Sequence, residues 1–417
     1  MKTVKIGLLG LGTVGGGVYK LVERQKSEMV SKTGADVEIA KILVHNRNKK
    51  REGIDESLLT DQWKDIIEDK EIDIVVEVMG GIEPAKTIIT EALKAGKNVV
   101  TANKDLLAVC GEDLLEIAAA HHVDLMFEAA VAGGIPIMRP LRQCLAGNEI
   151  TEVTGIVNGT TNYILTKMFE LGMSFEEALA KATELGYAEA DPTADIEGLD
   201  AGRKVAIMAT SAFHSKVVFD DVHIEDIKYA KEFDSVIKLI GIARNTESGI
   251  EACVYPMLLS SEHPLASVRN SFNAVFVHGD AVDDVMFYGR GAGEFPTASA
   301  VMGDIIDVIR DMVNGCTGRI SNTCYRELPV KKCRDIRSKF FLRMQVENRP
   351  GVLASIASVF GEHKVSINKV VQKIITDGMA EVVIVTDAVK EYHMQDAQEE
   401  LLRMPIVKEI SSVIREY

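Results

Sequence analysis

Short apolar runs alternate with stretches of helical apolar spacing along the first third of the chain. The runs are Val4–Leu9 (VKIGLL), Val37–Val44 (VEIAKILV), Ile72–Val78 (IDIVVEV) and Asn98–Thr101. Between them the amphipathic stretch Val18–Met29 and the segments Trp63–Asp69 and Pro84–Ala95 read as helices. Strand alternating with helix predicts a doubly wound parallel sheet of the Rossmann type, an α/β fold. Near the other end the pattern changes. Phe340–Val346 alternates as a strand, and Asn348-Arg-Pro-Gly-Val-Leu353 leads into a helix ending at Phe360. Strands Val365–Lys373 and Ala380–Asp387, a helix Met394–Arg403 and a last strand Ile406–Arg415 follow. That βαββαβ order predicts a ferredoxin-like module. Just before it, Leu328–Lys339 (LPVKKCRDIRSK) is polar, cationic and contains a proline, so it reads as a linker.

The first predicted strand runs directly into Gly10-Leu11-Gly12-Thr13-Val14-Gly15, with Gly16, Gly17 and the first helix next. A strand, a tight glycine turn and a helix start are the parts that hold the pyrophosphate of a dinucleotide. Gly10 permits the turn, Gly12 lets the backbone approach the phosphates, and Gly15 lets helix and strand pack closely. Glycine turns are common, and it is the position between strand and helix that gives this one its meaning. At the end of the second strand an NAD site places a carboxylate for the ribose 2′-hydroxyl, whereas an NADP site places cations for the 2′-phosphate. Here the chain reads His45, Asn46, Arg47, then Lys49, Lys50 and Arg51, while Glu38 lies at the strand's beginning. The reading favours NADP and leaves NAD open. A solvated basic turn is the competing account of these cations.

Length and composition narrow the classes. At 417 residues the chain exceeds one ordinary core, so two or three domains are expected. A formal charge of −15 argues against a nucleic-acid partner, which asks for a basic face. A helix N-terminus, however, binds phosphate without net positive charge. No uninterrupted apolar run reaches the roughly 18 residues of a spanning helix, so no membrane partner is expected. The start MKTVKIGLLG passes straight into a strand with no secretory layout. Cys110, Cys144, Cys253, Cys316, Cys324 and Cys333 are scattered without CxxC spacing, which speaks against a disulfide scaffold and a zinc site. A cytoplasmic protein is the expectation.

Two places carry candidate chemistry. Val99-Val-Thr-Ala-Asn-Lys104 puts Lys104 just past the fourth strand, at the edge where open α/β sheets bind ligands. A plain surface lysine is an equal alternative. Tyr187–Lys204 (YAEADPTADIEGLDAGRK) gathers the five carboxylates Glu189, Asp191, Asp195, Glu197 and Asp200 ahead of Arg203 and Lys204. A divalent-metal site, a pocket for a substrate ammonium and a solvated loop entering a helix would each use such a stretch. Pro192 and Gly198 make Ala190–Glu197 turn-rich, and Asp is common in turns. Helical spacing begins around Gly198, which sets Asp200 and Lys204 at i and i+4 on one face. That pair is either a surface ion pair worth about 0.3–0.5 kcal/mol, or a pocket lysine tuned by its aspartate. Hydride transfer to a carbonyl needs a proton donor for the nascent alkoxide, and a positioned lysine supplies one. The residues alone leave the choice open.

GxGxxG at Gly10–Gly15, TANK at Thr101–Lys104, NGTTNY at Asn158–Tyr163 and the acidic stretch Tyr187–Lys204 come in that order. Together they strongly resemble homoserine dehydrogenase, from Met1 to about Thr323. The resemblance implies reversible interconversion of L-homoserine and L-aspartate 4-semialdehyde with NAD(P), a step of threonine, methionine and isoleucine biosynthesis. It implies Lys204 as general acid/base, Lys104 between nicotinamide and substrate, and Asp200 as a polar contact near the reacting centre. Glu189 would take the substrate ammonium, Asp195 belongs to the same acidic pocket, and Asn158, Gly159 and Thr160 would line the substrate and nicotinamide side. Thr101, Arg47 and Gly293 join Gly10, Leu11, Gly12, Thr13, Val14 and Gly15 in the implied cofactor set. Gly293 ends the FYGRGAG segment, through which the chain returns to its nucleotide domain. Phe127–Pro136 (FEAAVAGGIP) resembles a family loop that binds a monovalent cation such as Na+, through Glu128 and the carbonyls of Val131, Gly133 and Ile135. A glycine-rich hinge between domains is the alternative there.

The turn ENRPGVL resembles the ligand turn of ACT domains, with Asn348 where Asp is usual. An L-threonine effector that lowers activity is the hypothesis, and a module serving assembly alone is the alternative. The expected organisation is a Rossmann domain at 1–130 completed by a return segment at about 291–325, and a mixed α+β substrate-binding and dimerisation domain at 131–290. A linker at 326–339 and an ACT domain at 340–417 follow, in a homodimer or homotetramer. Two rivals stand beside this reading. Another Rossmann-fold amino-acid dehydrogenase that works through a thioester would need a cysteine nucleophile, and none of the six cysteines sits in a recognisable motif. A non-catalytic sensor of dinucleotide and amino acid would have no need for Lys204 beside a cluster of acids.

Overall fold

The computed structural model describes residues 3–225, 227, 236–320, 324–374 and 378–417; Met1 and the 321–323 portion of the expected return segment lie outside them. The first layer is a parallel sheet of β1 (Thr3–Leu9), β2 (Asp36–Leu43), β3 (Leu59–Thr60), β4 (Ile72–Glu77), β5 (Asn98–Thr101) and β6 (Leu125–Met126). Its order is β3-β2-β1-β4-β5-β6, with crossovers carrying α1 (Thr13–Thr33), α2 (Lys64–Ile67), α3 (Ala85–Lys94) and α4 (Lys104–Ala120). The strand order reverses between β1 and β4, which opens a crevice at the carboxyl ends of these two strands. Helix α1 begins at Thr13, inside the glycine turn, rather than at Val18. Its first turn is largely glycine and so carries no apolar periodicity to read. It stops at Gly34, whose left-handed φ of 81° lets its N–H close on Val30 O.

The second layer holds β7 (Ile150–Ile156), α5 (Gly159–Leu171), α6 (Phe175–Glu184), α7 (Thr193–Ile196), α8 (Leu199–Phe213) and β8 (His223–Ile224). The long strands β9 (Val236–Thr246) and β10 (Gly249–Leu259), then β11 (Phe272–Gly279) and β12 (Asp283–Arg290), complete an antiparallel run in the order β12-β11-β7-β9-β10. Helix α9 (Glu294–Asn314) then returns to the first layer, where Val301, Ile305 and Val308 share a core with Val18, Leu21 and Val22 of α1.

The C-terminal elements are β13 (Arg337–Glu347), α10 (Val352–Glu362), β14 (Ile367–Ile374), β15 (Met379–Thr386), β16 (Val389–Lys390), α11 (Glu391–Arg403) and β17 (Val407–Glu416). Their sheet order β17-β13-β15-β14 is ferredoxin-like, around a core of Leu342, Met344, Ile356, Phe360, Val382 and Leu401. This module is not hung on a loose tether. Strand β17 pairs in parallel with β10 at Met257–Arg415 and Leu258–Glu416, so the two sheets run on as one. The polar stretch read as a linker lies pinned along the edge of β10: Ile250 N–H donates to Pro329 O and Lys331 N–H donates to Ile250 O, both at 2.8 Å. Side-chain polarity marked it as exposed, but its main chain is satisfied by a strand edge that no side-chain pattern reveals. Among the described residues, no helix is long and apolar enough to cross a membrane.

Arg415 locks the junction. Its guanidinium is buried, gripped on two nitrogens by Glu391 (both 2.8 Å), bonded to Glu225 of the second layer (2.6 Å), and laid 3.8 Å over the ring of Tyr255 on β10. Burial works against its charge, and the two glutamates outweigh that and raise its proton affinity. Arg415→Leu strands the buried Glu391 and is expected to destabilise the chain by about 3–5 kcal/mol, read as an earlier denaturant midpoint. The double variant with Glu391→Leu should recover much of that loss; a double as unstable as the single would show that the charge pair is not the cause.

Candidate active site

The TANK turn is built by its own side chains. Thr101, ending β5, donates to Glu77 Oε2 at 2.6 Å and accepts the Asn103 N–H at 3.0 Å. Asn103 caps α4 by accepting the Leu106 N–H, while its amide donates to Gly81 O. Lys104 is thereby delivered, half-buried, to the first turn of α4 at the carboxyl edge of the sheet.

Asn158 plays the same part for α5 and does more. Its side-chain oxygen accepts the Thr161 N–H at 2.9 Å, and its amide donates to Asp195 Oδ1 (2.7 Å) and Asp200 Oδ2 (2.8 Å). The Thr160 hydroxyl donates to Tyr187 O at 2.8 Å, which ties the acidic loop to α5 beside the half-buried Gly159.

Helix α8 starts after Gly198, whose φ is 75°. One turn apart on it, Asp200 and Lys204 are each only 9% exposed. Lys204 Nζ donates to Asp200 Oδ2 and to Val157 O, both at 2.7 Å, and Asp200 Oδ1 faces Lys104 Nζ at 3.4 Å. The surface-pair alternative is thus set aside, because this pair is buried and depends on its partners. One carboxylate serves two ammoniums. Burial opposes its charge, but Lys204 and then Lys104 prevail and hold the carboxyl at about 2. Asp195 goes the other way, pushed up by burial against the pull of Asn158. An ammonium has three N–H donors, and among the described residues two of those on Lys204 meet protein acceptors. The third suits a ligand oxygen. With Asp200 ionised, the transferable proton of the buried pair is the one carried by Lys204.

The other acids of the stretch separate by role. Asp191 serves the turn, accepting the N–H and hydroxyl of Thr193. Glu189 is exposed and stands outside the Asn158–Asp200–Lys204 network.

At the cofactor end Gly10 has a φ of 102°, and a Cβ on Gly15 would lie 2.2 Å from Gly10 O. Gly12 and Thr13 are exposed, with Leu11 and Val14 half-buried behind them. No side chain caps α1, and its first turn carries no acid, so its leading N–H groups suit an anion. These features fit a pyrophosphate. Arg47 is exposed beyond β2. Gly293 precedes α9, whose Glu294 meets Lys20 of α1 at 2.7 Å, so it lies on the same side of the crevice as α1.

In the expected cation loop Val131, Gly133 and Ile135 are buried, and Ala132 and Gly133 adopt left-handed φ values of 56° and 54°. The Glu128 carboxylate is already engaged by the N–H groups of Ile137, Met138 and Arg139. A cation here would therefore rest on main-chain oxygens. Among the described residues, no group of three or more His, Cys, Asp or Glu side chains is placed to hold a metal.

Three contributors escaped the sequence reading. Glu77 is fully buried and accepts the N–H groups of Met79 and Gly80 besides the Thr101 hydroxyl. An acid ending the apolar strand IDIVVE was the available signal. Asp105 reaches Arg203 across the cleft at 2.7 Å, a contact with no local signature. Lys238 is buried, its affinity for a proton brought down by burial to about 8, and it donates to Asn162 Oδ1 and Val268 O behind α5.

Residues 10–128 match the NAD-binding domain family of homoserine dehydrogenase, 136–306 the homoserine dehydrogenase family and 340–403 the ACT domain family. A homoserine dehydrogenase of Bacillus subtilis (strain 168) is 45% identical, covering 100% of this chain and 98% of its own. That of Corynebacterium glutamicum is 46% identical over 99% of this chain and 95% of its own. Among solved structures, a homoserine dehydrogenase from Thiobacillus denitrificans superposes with a TM-score of 0.92 at 39% identity, covering 100% of this chain and 98% of its own. A hyperthermophilic archaeal homoserine dehydrogenase in complex with NADPH superposes at 0.64 with 27% identity, over 73% of this chain and 97% of its own. With such identity sustained from end to end and the lysine and acid motifs in order, the chain belongs to the homoserine dehydrogenase family.

Proposed function

We propose that the chain catalyses reversible hydride transfer between L-homoserine and L-aspartate 4-semialdehyde, with Lys204 as general acid/base. The supporting observation is a buried ammonium fixed by Asp200 and Val157 O with one N–H to spare. In alcohol oxidation neutral Lys204 takes the hydroxyl proton; in reduction it returns one to the alkoxide as it forms. When bound, the nicotinamide supplies or accepts the hydride. Asp200 remains ionised and steadies the protonated lysine. Lys104, on the sheet side of the same carboxylate, contacts substrate and nicotinamide. The substrate ammonium is bound by Glu189 and Asp195, in a pocket lined by Asn158, Gly159 and Thr160.

The cofactor set comprises Gly10, Leu11, Gly12, Thr13, Val14, Gly15, Thr101 and Gly293. Exposed Arg47, with no carboxylate at the end of β2, supports NADP over NAD. A monovalent cation such as Na+ would sit on the main-chain oxygens of Glu128, Val131, Gly133 and Ile135. In the ACT domain the turn 348–353 and Gln372 line a cavity of about 430 Å³, room for one amino acid. L-Threonine is the proposed inhibitor there. Units at 1–130 with 291–325, 131–290 and 340–417, joined by 326–339, describe the organisation, in a cytoplasmic homodimer or homotetramer. The free thiols among the described cysteines suit a reducing compartment.

Lys204→Ala is expected to cut turnover by about 10²–10⁴-fold, with dinucleotide affinity largely kept. Nicotinamide absorbance with homoserine measures the first and direct titration the second; undiminished turnover would remove the proposed role. Arg47→Ala should raise the KM for NADP+ more than that for NAD+, and equal losses would count against the cofactor preference. L-Threonine should inhibit, and Asn348→Ala should raise the half-inhibiting concentration by about tenfold or more, the effect of one lost charge-assisted hydrogen bond; inhibition unchanged in that variant would place the effector elsewhere.

A further inference from the structure

We infer that Asp105 and Arg203 form a positioning latch across the reaction cleft, one that sets the distance between Lys104 on one side and Asp200 with Lys204 on the other. The inference rests on the acid/base reading given above. Lys104 and Asp105 open α4, within the segment that matches the NAD-binding domain; Asp200, Arg203 and Lys204 lie on the first turns of α8, within the segment that matches the catalytic family. Neighbouring residues therefore pair across the cleft twice. Lys104 Nζ stands 3.4 Å from Asp200 Oδ1, and Asp105 Oδ1 stands 2.7 Å from Arg203 Nε. Of the two, the shorter ion pair is the one beside the chemistry, not the one within it.

Arg203 is held on a further side. Its guanidinium lies 4.9 Å from the centroid of the Phe219 ring, so its head is set before Asp105 reaches it. Deeper along the seam, Leu107, Leu115, Ile207 and Val218 line a gap of about 30 Å³. That gap is partly open to solvent, so apolar packing is not what fixes α4 against α8 at this point. A slide of about an ångström costs up to about 100-fold when it misplaces a reacting group. Lys104 and Asp200 would separate under such a slide, whereas a close Asp105–Arg203 pair resists it. The pair also adds little to stability, because its side chains are 34% and 25% exposed and water screens them. Its loss should therefore show in catalysis well before it shows in folding.

The test is a double-mutant cycle on the full chain, assayed with saturating homoserine and with the dinucleotide varied up to saturation. Asp105→Ala and Arg203→Ala should each lower kcat by up to about fivefold, the shift that a pair worth about 1 kcal/mol can hold, leave the dinucleotide KM unmoved, and keep the unfolding midpoint near that of the parent. The double variant should lose no more than the worse single, as expected of two groups acting as a unit. A kcat preserved in both singles, or losses that multiply in the double, would overturn the latch. Arg203→Lys keeps the charge but loses the planar contact; it covers the case in which an alanine variant fails to fold, with kcat expected to fall in the same direction. Lys204→Ala, run alongside, separates the two ideas. Inactive Lys204→Ala with unaffected latch variants sinks the latch alone, and active Lys204→Ala sinks the acid/base reading beneath it.

Discussion

Everything at the candidate site depends on one buried carboxylate. Asp200 lies between Lys204 and Lys104 and receives the amide of Asn158, so three elements, α8, α4 and the start of α5, meet at a single charge. A carboxylate taken out of water is tolerated only when cations and donors surround it, and here two ammoniums hold it ionised to about pH 2. The reverse also holds, since the two lysines could not stand this close without it. The site is therefore a charge balance that forms only when the parallel sheet and the second layer are brought face to face.

The supports of that balance are polar and local. Asn103 and Asn158 each cap the helix that follows and spend their remaining amide protons on cross-links, to Gly81 O in one case and to Asp195 and Asp200 in the other. Glu77 fastens the 79–80 turn and Thr101 from behind. Such groups have few conformations left to them, which is what a site needs if it is to be arranged before its substrate arrives.

At the far end the ACT domain shares its last strand with the sheet that carries α8 on its face. Arg415, Glu391 and Glu225 make the join a buried ionic contact, and Tyr417 adds a hydrogen bond to Glu152 of β7. Strands β13, β17 and β10 are paired in turn, so the module that carries the 348–353 turn is joined to the second layer through a continuous sheet.

Much of this was legible in the sequence. The doubly wound sheet followed from apolar runs alternating with helical spacing, and the βαββαβ order of the last elements followed from period-two strands around two amphipathic helices. The glycine turn, TANK, NGTT and the i, i+4 spacing of Asp200 and Lys204 could be read because each is a local pattern with a local physical cause. Other features are relations between distant segments: the burial of Asp200 and Lys204, the exposure of Glu189, the engagement of Glu128 with backbone amides, the 2.7 Å approach of Asp105 to Arg203, and the fusion of two sheets at β10 and β17. Chain order determines which residues each helix and strand can present, whereas only the tertiary arrangement decides which charges leave water together, because desolvation depends on neighbours that are far away along the chain.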